Sequence, residues 1–162
     1  MGPAVTDRPA EDVWQYPRPP AVEPSDELVV VELGGSEIVR TSRALRVLET
    51  SHPPTYYLPL ADVAPGVLHP VGGTTWCEWK GSADYFDVVA GGRTVPAGAW
   101  TYPSPTPAFA ALTGHLALYP GRMDRCTVDG EVVQAQEGDF YGGWITSRVR
   151  GPFKGAPGTL GW

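Results

Sequence analysis

Two stretches of the chain hold most of the side chains able to do chemistry. From Arg43 to Pro59 it reads R-A-L-R-V-L-E-T-S-H-P-P-T-Y-Y-L-P. A carboxylate at Glu49 and an imidazole at His52, set where a short helix ends under two prolines, can exchange a proton with a ligand near neutral pH. Tyr56 and Tyr57 follow on a strand and point to opposite faces, so one of them can look into the same space. On the helix, Arg43, Arg46 and Glu49 recur at i, i+3 and i+6 and share a face. The plainer alternative makes Arg46 and Glu49 an ordinary surface ion pair.

The second stretch, Trp76-Cys77-Glu78-Trp79-Lys80-Gly81-Ser82-Ala83-Asp84-Tyr85-Phe86, packs aromatics, a thiol, acids and an amine together. Such groups need specific partners when buried, so this is no ordinary strand. Among 12 Lys and Arg, Lys80 and Lys154 are the lysines, each between an aromatic and a glycine. A compact ammonium suits an anion anchor, a proton donor or a Schiff-base amine. Cys77 as a nucleophile beside His52 is a further alternative. Tyr141-Gly142-Gly143-Trp144 adds aromatics flanked by glycines that admit a close approach. Trp79, Trp100 and Trp144 are either pocket walls or core. The expected catalytic set is Glu49, His52, Lys80 and Tyr57. The expected ligand-binding set is Arg43, Tyr56, Cys77, Trp79, Tyr85, Trp100, Trp144 and Lys154, lining an aromatic pocket for a small molecule with an anionic group.

Other chemistries lack their residues. Cys77 and Cys126 form no CxxC pair, and His52, His69 and His115 form no HxH or HExxH pattern, so neither a metal nor a cofactor is expected. His69, in a Pro/Gly loop, reads as solvated, and His115 as structural. A P-loop, a dinucleotide fingerprint, a G-x-S-x-G elbow and a basic-aromatic stripe are all missing.

These groups must be positioned by short elements. The chain has 162 residues with 18 Pro and 20 Gly, too much punctuation for long helices and enough length for one core. Gly34-Gly35, Gly91-Gly92 and Asp129-Gly130, each between β-branched runs, predict three hairpins. Helix signals are confined to Arg43–Glu49 behind Thr41-Ser42 and to Ala108–Leu112 behind Pro107. The expected fold is mainly β: a compact, antiparallel, sandwich-like domain over residues 28–150 with one or two short helices. A Pro-rich extended arm (residues 1–27) precedes it and docks Trp14 and Tyr16, and a Gly/Pro-rich tail (residues 151–162) follows. The net charge of −6 argues against nucleic acid and anionic membrane. With no secretion signal and no apolar run of membrane length, the expected location is the cytoplasm. A homodimer stays open.

Longer motifs add a family likeness. They are W-x-Y-P-R-P-P from Trp14, S-R-A-L-R-V-L-E-T-S-H-P-P-T-Y-Y-L-P from Ser42, and C-E-W-K-G-S-A-D-Y-F from Cys77. Next come A-W-T-Y-P-S-P-T-P-A-F from Ala99, L-Y-P-G-R from Leu118, and F-Y-G-G-W-I-T from Phe140 through to G-P-F-K-G-A-P-G-T. In these the chain resembles the bacterial proteins grouped as domain of unknown function 427. The resemblance implies an all-β "tent" of two antiparallel sheets, akin in architecture to methionine sulfoxide reductase B and cereblon. Zinc-holding CxxC pairs of such folds are missing here. The family also carries a nucleotidyltransferase label. Such transferases show a Gly-Ser followed by a magnesium-holding D-x-D; Gly35-Ser36 and Gly81-Ser82 are present, but D-x-D is not. By motif position the family's polar signature falls on Arg43, Glu49, His52, Tyr56, Tyr57, Cys77, Lys80, Tyr85 and Lys154, and its aromatic signature on Trp79, Trp100 and Trp144. The expectations for function are therefore ranked: a small-molecule enzyme using Glu49 and His52 without a bound metal, a noncatalytic ligand-binding domain, and a nucleotidyltransferase.

Overall fold

The computed structural model describes residues 9–138, 141–159 and 161–162. Residues 1–8 of the arm, Phe140 of the F-Y-G-G-W stretch and Leu160 of the tail lie outside the described residues. The strands, in chain order, are β1 (Glu11–Asp12), β2 (Ala21–Pro24), β3 (Val29–Leu33), β4 (Ser36–Thr41), β5 (Leu45–Leu48), β6 (Thr55–Pro59), β7 (Leu68–Cys77) and β8 (Gly81–Ala90). They continue with β9 (Arg93–Thr101), β10 (His115–Leu118), β11 (Arg125–Val128), β12 (Glu131–Val132), β13 (Gln134–Ala135), β14 (Trp144–Ile145) and β15 (Val149–Arg150). The fold is mainly β, and its principal sheet is antiparallel throughout, in the order β2-β5-β6-β10-β9-β8-β7.

The three expected hairpins form. Leu33 pairs with Ser36, Ala90 with Arg93 and Val128 with Glu131, each across a two-residue turn whose central residues both have positive φ. That is the primed geometry whose twist matches the flanking strands. The smaller sheet, β12-β11-β3-β4, packs on one face of the large sheet. Between them lies the main core, in which Val29, Val31, Leu33, Ile38 and Cys126 meet Tyr56, Leu58, Leu116, Leu118 and Ala99.

Alternation along the same strands gives the large sheet a second apolar face. Tyr57, Ala83 and Ala117 point the other way, and Phe109 and Leu112, from a 3-10 helix over Pro107–Leu112, cover part of them. The Pro107 helix is thus present, as a 3-10 rather than an α-helix.

The expected helix over Arg43–Glu49 is instead strand β5, paired with β2 and β6. Its side chains alternate: Leu45 and Val47 pack on the second face, and Leu48 packs toward the N-terminal segment with Val13 and Tyr16. Burial on two sides at period two outweighs helix propensity in so short a run. The Thr41 hydroxyl, which looked like a helix cap, accepts the Arg43 N–H at 3.0 Å in a turn.

The N-terminal segment was expected to avoid regular structure, yet β1 pairs with β15 in parallel and β2 forms an edge of the large sheet. Tyr16 is buried, and Trp14 donates its Nε1–H to Pro152 O at 2.8 Å while its ring packs edge-on against Trp162.

Candidate functional site

On the second face of the large sheet, beyond the patch covered by Phe109 and Leu112, a cavity of about 330 Å³ opens. Its lining contains Glu49, His52, Tyr57, Cys77, Lys80, Tyr85 and Trp100. Three local structures bring them together.

The first is the turn after β5. The His52 N–H donates to Glu49 O at 3.0 Å, and Ser51 between them sits at φ 70, a left-handed conformation that non-glycine residues adopt under constraint. The constraint is visible. Thr50 and Ser51 donate their N–H groups to Pro17 O and Val13 O of the N-terminal segment, and Ser51 O accepts from the Lys154 N–H at 2.8 Å. The turn is therefore gripped by both ends of the chain. His52 Nδ1 lies 2.9 Å from Thr50 O and 4.0 Å from a Glu49 carboxylate oxygen. A carbonyl only accepts, so the neutral ring carries its proton on Nδ1 and keeps the lone pair of Nε2 as a base. The Tyr141 ring packs edge-on at 5.8 Å and limits the tilt of the imidazole.

The second is the tip of the β7–β8 hairpin. Gly72 and Gly73 form a bulge opposite Tyr85 and Asp84, after which Thr75 faces Ala83 and Cys77 faces Gly81. The closing turn folds Lys80 back over Cys77. Its Nζ lies 3.9 Å from Cys77 Sγ and 5.9 Å from the ring centroids of Tyr102 and Phe109. A half-buried ammonium is thus held against a half-buried thiol at the cavity wall.

The third is a set of rings on adjacent strands. Tyr85 and Trp100 are cross-strand partners, and Trp100 donates Nε1–H to Tyr57 OH at 3.3 Å while packing on Tyr119 at 4.7 Å. Burial, reinforced by Tyr102 and Cys77 and only partly offset by the Trp100 donor, pushes the Tyr57 phenol well above its usual range. Burial first, then Cys77 and Tyr85, does the same to Tyr102. Both phenols therefore keep their protons at neutral pH; Tyr57 donates its proton to the Tyr102 hydroxyl, which leaves the Tyr102 O–H as the donor for a ligand oxygen. Gly142 lets the chain pass against Trp100: a Cβ there would stand 2.5 Å from Trp100 Cη2.

Residues 21–129 match the family described as Domain of unknown function (DUF427). The chain belongs to that family. All of the cavity lining except Gln136, Tyr141 and Gly142 lies inside the DUF427 match. None of the curated proteins matches the chain.

Of the residues in the expected catalytic and ligand-binding sets, five do not line this cavity of the DUF427 protein. Arg43 is exposed and pairs with Asp62 at 2.9 Å. Tyr56 and Trp144 pack with tilted rings at 5.0 Å in the main core, with Tyr56 OH donating to Glu27 at 2.8 Å, because Tyr56 takes the opposite side of β6 from Tyr57. Trp79 packs behind the hairpin tip, where its carbonyl accepts from the Thr106 hydroxyl. Lys154 borders a separate cavity of about 280 Å³ and donates Nζ–H to Trp162 O. Arg46 does not pair with Glu49 either; it is fully buried and bonds Glu11 at 2.6 Å and Glu23 at 3.0 Å. His69 is exposed, as expected, with Nε2 2.9 Å from Gly66 O.

Conversely, Thr55, Thr75, Trp76, Tyr102, Tyr119, Gln136 and Tyr141 line the cavity without belonging to the expected catalytic or ligand-binding sets, although Trp76 and Tyr141 stand in the stretches singled out for their chemistry. Tyr102 was findable, since it stands two residues beyond Trp100 and so on the same side of the strand. Tyr119 and Tyr141 lay within the quoted L-Y-P-G-R and F-Y-G-G-W stretches. Gln136 carries no sequence signal. Among the described residues no three His, Cys, Asp or Glu side chains gather as a metal site, and no helix is long and apolar enough to cross a membrane.

Proposed function

We propose that this DUF427 protein is an enzyme that binds a small, ring-bearing or unsaturated molecule with an anionic group and performs proton transfer on it with its own side chains. The carrying observation is the shared cavity of Glu49, His52 and Lys80 beneath the rings of Tyr57, Tyr85 and Trp100. At about 330 Å³ it sits at the lower end of the roughly 300–1,000 Å³ of small-molecule sites, so the ligand is compact.

In this reading His52 takes a proton through Nε2, and Glu49, 4.0 Å from Nδ1, stabilises the imidazolium that forms. Lys80 holds the anionic group. Tyr102, accepting from Tyr57, donates to the oxygen where charge develops, and Trp100 and Tyr85 supply the flat walls.

The test is a thermal-shift screen with small aromatic and unsaturated carboxylates and phosphates, followed by mass-spectrometric analysis of any compound that binds. A compound present at 100 times its Kd stabilises the native state by about 2.7 kcal/mol. Lys80→Met and Trp100→Ala are expected to abolish the shift. Glu49→Gln and His52→Ala are expected to keep binding and slow conversion roughly 100-fold or more. A bound compound left chemically unchanged by the wild type would sink the catalytic reading and leave a binding domain. Full conversion rates in both acid–base variants would remove Glu49 and His52 from the chemistry.

A further inference from the structure

The acid–base reading uses Lys80 at the hairpin tip but leaves its neighbour Cys77 without a role. We propose that Cys77, assisted by Lys80, is a nucleophile of this cavity that adds reversibly to the carbonyl carbon of an aldehyde ligand. The inference rests on the cavity being a ligand site and names a ligand class for it.

Four features of the structure support it. Cys77 lines the cavity and is half-buried, so it meets a ligand without lying open to bulk solvent. The Lys80 ammonium, 3.9 Å from Sγ, stabilises the negative charge that sulfur carries as it attacks. The position of Lys80 is fixed: the Lys80 carbonyl accepts the Thr106 N–H at 3.1 Å, and its ammonium lies 5.9 Å from each of the Tyr102 and Phe109 rings. Finally, Tyr57 and Tyr102 occupy the same lining, and with Tyr57 donating to Tyr102 the Tyr102 O–H is left as a donor for a carbonyl oxygen turning into an oxyanion.

The step balances without a co-reactant. A sulfur electron pair forms the S–C bond, the carbonyl π pair moves onto oxygen, and that oxygen takes up the proton that the thiol releases. The product is a hemithioacetal, and reversal expels the aldehyde. Cys126 is a built-in control. It is buried in the main core, away from the cavity, and burial, with the Glu32 charge adding to it, pushes its thiol up to about 12.

The experiment is site-resolved alkylation of the full chain by iodoacetamide at neutral pH, read by mass spectrometry, with benzaldehyde and benzyl alcohol as competitors. Cys77 is expected to react at least about tenfold faster than glutathione, and Cys126 not at all. Lys80→Gln is expected to slow Cys77 by about tenfold and Lys80→Arg to restore most of the rate, with melting curves showing both folded. Benzaldehyde is expected to protect Cys77, reversibly on dialysis, at concentrations where benzyl alcohol, of the same shape without an electrophilic carbon, does not.

Three results would overturn the proposal: alkylation no faster than glutathione; equal protection by both competitors; or a borohydride-stable adduct on Lys80, which would make the amine the nucleophile. Equal protection by both competitors would leave the cavity standing as a binding site while Cys77 falls. No binding by either competitor, together with an empty thermal-shift screen, would remove the cavity reading itself.

Discussion

At the residue scale the cavity depends on a side chain that is missing. Gly142 passes within van der Waals range of Trp100, and a methyl group there would meet Cη2 at 2.5 Å and Cζ2 at 3.2 Å. The open direction for the ring is into the cavity it walls. Elsewhere it packs on Tyr119 at 4.7 Å, and its strand neighbours, Tyr85 and Ala117, flank it in the sheet. Gly142→Ala is therefore expected to cost about 1–3 kcal/mol and to break the Trp100–Tyr57 hydrogen bond, which together shrink the ligand space. Thermal melts and ligand titration of the variant check this. An unchanged melting temperature with unchanged affinity would show that the wall is softer than the packing implies. The sequence disclosed that glycines here admit a close approach. It did not disclose that the approaching group is Trp100, because that contact joins two segments more than forty residues apart.

At the element scale, β5 shows where reading the sequence succeeded and where it failed. Three hairpins were readable because Gly-Gly and Asp-Gly turns are local chemistry: the residues that need positive φ are the turn itself. The β5 run R-A-L-R-V-L-E is locally ambiguous, and strand pairing with Ala21–Pro24 and Thr55–Pro59 decides it. The misreading had a consequence for Arg46. As a strand residue it lies fully buried beneath the N-terminal segment and bonds Glu11, Glu23 and the Tyr16 hydroxyl. Next to it Arg148 bonds Glu27 at 2.6 Å, so a buried ionic network pins the N-terminal segment to the sheet.

Removing one cation strands its partners, so Arg46→Met is expected to destabilise by about 3 kcal/mol, the lower end for a broken buried pair because Glu11 and Glu23 keep some solvent. Burial alone would raise the Glu11 carboxyl, but the hydrogen bonds from Arg46 and Tyr16 and the charges of Arg46 and Arg148 hold it below its ordinary 4.5. A carboxylate depressed in the folded state adds stability that is complete above its unfolded value and is lost as pH falls through the folded one. The loss therefore falls below pH 4.5. Glu11→Gln is expected to lower the melting temperature at neutral pH and to flatten its decline on the acid side. An acid limb as steep as the wild type's would assign the decline to other carboxylates.

At the scale of the whole molecule, the two faces of one sheet divide the work. The face toward the smaller sheet is filled with aliphatic side chains and the Tyr56 and Trp144 rings, while the opposite face leaves a gap walled by Tyr57, Trp100 and Tyr85. The acid–base turn at the rim of that gap is held by neither sheet. Its backbone is fixed by Val13 and Pro17 from one end of the chain and by Lys154 from the other. Those ends are clasped to each other by Trp14, through Pro152 O at 2.8 Å and the Trp162 ring at 5.3 Å.

Loosening the clasp should therefore free the turn while leaving the sheets intact. Trp14→Ala removes one hydrogen bond and one aromatic contact, together about 1–2 kcal/mol. That corresponds to roughly a tenfold or greater rise in the exchange rate of amides opened by release of the segment. Hydrogen exchange resolved to single amides is expected to show that rise at Thr50 and Ser51, whose partners are Pro17 O and Val13 O, with the β3 and β11 amides unchanged. Affinity for any cavity ligand should fall with it, because His52 loses its fixed orientation. Equal acceleration across the sheets would mean that Trp14 supports global stability alone. No acceleration at Thr50 and Ser51 would mean that the turn holds its strained Ser51 conformation without help from the chain ends.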